Sequence, residues 1–100
     1  MAGDESPLLL RLKARAGDPE PPVVGQVFDS LLRLEGKAAI PFLGEFLRSP
    51  SEDVRAEAAL ALGEGGFMDA LRPLMDLKAS DPSPEVRQAA AVALKKLAPR

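Results

Sequence analysis

The chain has 100 residues, a formal net charge of −2, and neither cysteine nor histidine. Those absences exclude a disulfide framework, a thiolate zinc site, an imidazole ligand and a histidine general base. The near-neutral balance gives no general pull toward nucleic acid or anionic lipid, although residues 78–100 hold Lys78, Arg87, Lys95, Lys96 and Arg100 against only Asp81 and Glu85.

Such a length suffices for one compact domain or a short stack of repeats. Leu and Ala dominate the apolar residues, and the aromatics reduce to Phe28, Phe42, Phe46 and Phe67. High helix propensity and few β-branched residues predict an all-α fold. No stretch approaches the roughly 18 apolar residues of a membrane span. The opening MAGDESPLLLRLKA puts acids before a very short apolar run, unlike a secretory signal. The expected location is therefore cytoplasmic, without membrane contact.

In chain order, Leu9 and Leu12 come first, 31 residues before Ile40 and Leu43, and read as one helix of a partial opening unit. Asp18-Pro19 then precedes Val23 as Ser49-Pro50 precedes Val54, and Leu31 falls 31 residues before Leu62. Ala39, Ile40, Leu43 and Phe46 correspond to Ala70, Leu71, Leu74 and Leu77. The middle unit opens with SPSEDVRAEAALALGEG, in which Val54, Ala58, Ala59 and Leu62 share one helix face. Ser49, Ser51 or Asp53 is placed to cap it, and GEGG at 63–66 to stop it. A second helix follows over about 69–78, with Pro73 inside it and Pro41 as the corresponding proline one unit earlier. Each proline must occupy a first turn or bend its helix. DPSPEVRQAAAVALKKL repeats the middle unit at a spacing of 32, with Asp81 or Ser83 as cap, Pro84 in the first turn, and Val86, Ala90, Leu94 and Leu97 inward.

The segments are 1–17, a partial opening unit of one helix; 18–48 and 49–80, two helix pairs; and 81–100, the trailing helix of an incomplete unit. All form one domain of about five helices. Neighbouring pairs bury each other's apolar faces, so no isolated pair is stable.

DPSPEVRQAAAVAL and SPSEDVRAEAALALGEGG resemble units of the HEAT-like repeat family, in particular the short units of phycobilin lyase-type proteins. The resemblance implies a short right-handed α-solenoid of helical hairpins. Its signature falls on Asp18, Val54, Arg55, Asp81, Val86 and Arg87, with Ser49 in place of the middle aspartate and Val24 in place of the first arginine. An inter-repeat polar ladder should thus be weak between the first and middle units. For function it implies a noncatalytic protein-interaction scaffold binding its partner along the second helices. The alternatives are a subunit or fragment of a phycobilin lyase-like complex, and a weak nucleic-acid-binding module.

No catalytic, cofactor-binding or metal-binding residue stands out. The carboxylates are scattered over caps and helix surfaces, and GEGG lacks the strand before it and the Lys-Ser or Lys-Thr after it that a phosphate-binding loop requires. Arg11, Lys13, Lys37, Arg48, Arg72 and Lys78 on the second helices are opposed by Glu45, Asp69 and Asp76, which disfavours nucleic acid. The candidate partner-binding residues are Glu45, Arg48, Arg72, Asp76 and Lys78, with Phe67 and Met68 as apolar anchors. Self-association through the Ala-rich C-terminal helix, by Val86, Ala89, Ala90, Val92, Ala93 and Leu94, is a further expectation.

Overall fold

The computed structural model describes residues 6–15 and 21–97; Asp18, the first signature aspartate, lies outside them. Six α-helices occur among the described residues, the number to which the opening helix, two helix pairs and trailing helix sum, although about five are expected in all: α1 (Pro7–Arg15), α2 (Pro21–Glu35), α3 (Ile40–Phe46), α4 (Glu52–Gly65), α5 (Leu71–Ser80) and α6 (Pro84–Leu97). A 3₁₀ turn at Gly36–Ala39 leads into α3 and another at Met68–Ala70 into α5. These turns resolve the proline question. Pro41 becomes the second residue of α3 and Pro73 the third of α5, positions where an amide has no intrahelical acceptor to lose.

The helices stack as hairpins. α2, α4 and α6 lie side by side with α4 in the middle, while α1, α3 and α5 each pack on the next member of that row. The core runs continuously through Leu10, Val27, Phe28, Leu31, Leu43, Leu62, Leu74, Val86 and Leu97. Phe28 and Phe42 each meet the Phe46 ring at 5.1 Å between centroids in tilted pairs, which joins α2 to α3. Arg11 clamps α1 onto this corner. Its guanidinium donates to both Glu35 carboxylate oxygens, at 2.6 and 2.9 Å, and lies 5.2 Å over the Phe42 ring.

α4 is enclosed by neighbours on more than one side, and small residues make that feasible. Ala58, Ala59, Ala61, Leu62 and Gly63 are all buried. A Cβ built on Gly63 would lie 2.6 Å from Ala93 Cα and 2.7 Å from Ala93 Cβ, so the α4 and α6 backbones meet where only glycine fits. Of the GEGG run, the stop itself is Gly66, at φ 76°, where a left-handed turn closes the helix. Gly63 therefore serves packing rather than termination.

Two positions differ from the repeat register. Leu9 and Leu12 match the buried Ile40 and Leu43 in sequence, yet both are exposed, and Leu10 is the α1 residue that reaches the core. On α6, Ala89, Ala90 and Ala93 are buried within the chain's own stack, so the alanines read as an open edge already have their contacts. A Gly63→Ala substitution is expected to lower stability by about 1–3 kcal/mol through overpacking against Ala93. Gly44→Ala, in a helix with nothing within 4 Å of the new methyl, is expected to gain about 0.5–1 kcal/mol. Urea denaturation of the two variants checks both signs.

Candidate functional site

The turn before α6 shows how one unit is fixed to the next. Ser83 caps the helix, its hydroxyl accepting from Val86 N–H at 3.3 Å, as Ser51 accepts from Val54 N–H at the start of α4. Asp81 Oδ1 accepts from Ser83 N–H at 2.9 Å and holds the turn. Arg55, one unit earlier, reaches across to Asp81 with Nε at 2.8 Å and Nη2 at 3.2 Å, while its Nη1 donates to the Ser49 carbonyl at 2.7 Å. Arg87 repeats half of this arrangement, its Nη1 donating to the Asp81 carbonyl at 2.7 Å. Val24, buried, and Ser49 occupy the equivalent places one unit earlier, where a valine has no charge to offer. The ladder therefore has one complete rung among the described residues.

Burial alone would raise the Asp81 pKa; the Arg55 hydrogen bonds, the Ser83 N–H and the charges of Arg55 and Arg87 outweigh it and lower the value. A second electrostatic feature runs between α2 and α4. Glu57 is raised by burial and by the charges of Asp29 and Asp53, and Asp29 by burial and by Glu64. Here like charges face one another across the joint, a feature invisible in the repeat register because Asp29, Glu57 and Glu64 hold no equivalent positions.

The proposed partner-binding residues fall into separate places. Arg48, Arg72 and Asp76 line one groove of about 350 Å³ between α3 and α5, floored by Leu47, Pro73 and Leu77. Glu45 and Lys78 are exposed on the same two helices, and neither lines the groove. Met68 is exposed on the 3₁₀ turn before α5. Phe67 is half-buried and belongs elsewhere: it lines a depression with Asp29, Leu32, Arg33, Glu64 and Gly65. Sequence reasoning missed Met75, half-exposed on α5. Its signal was its place one residue past the buried Leu74, which turns it away from the core.

Among the described residues no group of three or more His, Cys, Asp and Glu side chains is placed to hold a metal ion, and no helix is long and apolar enough to cross a membrane. The sequence model for HEAT repeats matches residues 40–99, which contain the Arg55–Asp81 rung and both complete capped turns. The chain belongs to the HEAT-repeat family. No curated protein matches it in sequence. HEAT repeats are generally noncatalytic helical scaffolds, and here the arginine and aspartate of the repeat serve to join units.

Because Asp81 titrates lower folded than unfolded, it adds stability at pH values above the unfolded aspartate value of about 3.9, and that increment disappears as pH falls through the folded value. Asp81→Asn is expected to cost roughly 2 kcal/mol at pH 7. The gap to wild type should shrink progressively below pH 4, as measured by urea midpoints across the titration.

Proposed function

We propose that this HEAT-repeat chain is a noncatalytic interaction module that holds a protein segment along the outer surface of α3 and α5. The observation carrying this reading is the groove that gathers Arg48, Arg72 and Asp76 over an apolar floor of Leu47, Pro73 and Leu77. Two guanidinium groups and one carboxylate around apolar walls suit a peptide or helix edge that brings carboxylates together with an apolar anchor. Arginine supports this recognition because its planar fork binds carboxylate bidentately and is weakly hydrated. Met68 before α5 and Met75 on it, both at least half exposed, add flexible apolar surface of the kind that adapts to a partner.

The groove brings one carboxylate and two guanidinium groups to an apolar surface, and binding is the chemistry such a set supports. Charge reversal on this surface leaves the core alone, and exposed substitutions of that kind usually change stability by no more than about 0.5 kcal/mol. In co-purification from the native organism, the wild-type chain is expected to retain a protein that a Glu45→Lys, Arg72→Glu, Asp76→Lys variant loses at equal helicity. Retention by both would move the interface away from α3 and α5. Retention of a pigment or of DNA, in place of protein, would replace the reading with a lyase-like or nucleic-acid-binding one.

A further inference from the structure

The charges of the α3–α5 groove come in a fixed order along its length. On α5, Arg72, Asp76 and Ser80 line it at successive turns, which sets Arg72 and Asp76 about 6 Å apart along the axis. Gly44, Leu47 and Arg48 line the other wall. Leu47 N–H donates to the Gly44 carbonyl and Arg48 N–H to the Glu45 carbonyl, both at 3.2 Å, so the coil of α3 continues to Arg48. Ala39 and Ala70, like Leu43 and Leu74, are 0% exposed, and equating them pairs α3 with α5 at a spacing of 31 residues. Arg48 then stands level with Ala79, at the Ser80 end. From the start of α5 onward the groove runs cation, anion, cation, and its arginines are about 10 Å apart along the axis.

Two further features suit the groove to an occupant. Among the described residues the side chains of Arg48, Arg72 and Asp76 make no ion pair. Arg72 and Asp76 are i and i+4 with the cation first, the less favourable order for pairing on one helix. Gly44 lies inside α3, where glycine is unfavourable relative to alanine, and nothing stands within 4 Å of a Cβ built on it. The fold therefore does not need that glycine, whereas a backbone brought against the groove wall does.

We propose, on the reading that this groove is the partner surface, that its occupant is an α-helix bearing carboxylates at i and i+7 and a lysine or arginine between them. The cation falls at i+4 or i+3, according to the direction of the helix along the groove. Such a helix rises about 10 Å over seven residues and returns nearly to one face at these positions. Each carboxylate then meets one arginine, and the cation meets Asp76. An apolar side chain on the same face covers Leu47 and Leu77, which floor the groove. An extended segment instead returns to one face at about 7 and 13 Å, and overshoots the second arginine.

Binding of stapled helical peptides to the full chain, followed by fluorescence anisotropy, tests the charge order. Three peptides share a leucine face and carry Glu–Lys–Glu, Glu–Glu–Glu or Lys–Glu–Lys at i, i+4 and i+7. Wild type is expected to bind Glu–Lys–Glu about tenfold more tightly than Lys–Glu–Lys, with Glu–Glu–Glu between them. Asp76→Lys should exchange the first two, and Gly44→Leu should weaken all three at unchanged helicity. Where Asp76→Lys costs helicity, Asp76→Asn replaces it, and the gap between the first two should close. Equal binding of the three, preference for Lys–Glu–Lys, or no binding at all would overturn the proposal. So would a wild-type order in the Asp76 variant, or undiminished binding by Gly44→Leu. If the co-purifying protein still depends on Arg72 and Asp76 in that event, the groove reading stands; if that dependence is absent as well, both fail.

Discussion

The approach of α4 to α6 is the constraint on which the rest of the structure depends. At Gly63 and Ala93 the two backbones come together with no room for a further methyl. That contact fixes the distance between successive units and thereby the reach of the side chains that join them. Arg55 spans to Asp81 because the turn before α6 is held close against the start of α4. An ion pair with both partners largely buried is a weak source of net stability but a strong penalty when broken. Its value here is in register: Asp81 accepts from Arg55 and from the Ser83 amide at once, so the same carboxylate sets the turn and the neighbour.

Burial and charge are distributed unevenly along the stack as a consequence. Small residues allow close approach and provide modest apolar area per residue, so the α4–α6 joint relies on many close contacts and one polar rung. The α2–α3 corner relies on larger groups: three phenylalanine rings and the Arg11 clamp. Between α2 and α4, valine replaces the arginine of the ladder and Asp29, Glu57 and Glu64 face one another. That joint accordingly depends on apolar burial against mild electrostatic opposition. The proposed partner surface lies on α3 and α5, whose exposed charged residues line or flank a groove and can vary without loss to the core.

Much of this was legible in the sequence because a repeat states its inward positions more than once. Ala58, Ala59, Leu62, Leu74, Val86 and Ala90 were identified by register and are buried. The 3₁₀ turns before α3 and α5 were not legible, although Pro41 and Pro73 signalled that something had to precede each helix. Gly63 read as part of a stop signal, because a glycine needed for backbone contact and one needed for a left-handed turn look alike in a string. The exposure of Leu9 and Leu12 was equally hidden. On α1 the core-facing place is taken by Leu10 instead, a rotation of the helix that the repeat spacing does not encode. The groove residues were selected as outward positions on the second helices; which of them share a groove follows from the relative rotation of α3 and α5, which no local pattern encodes.

Native-state hydrogen exchange tests most directly the central claim, that the α4–α6 joint makes the stack one cooperative unit. The account predicts that the slowest amides of α4 and α6 open with the same free energy, equal to that of global unfolding, while α1 opens more easily. An α6 that exchanges through a much lower-energy opening, with α4 still fully protected, would show that the contact between Gly63 and Ala93 does not bind the units together and would contradict the account.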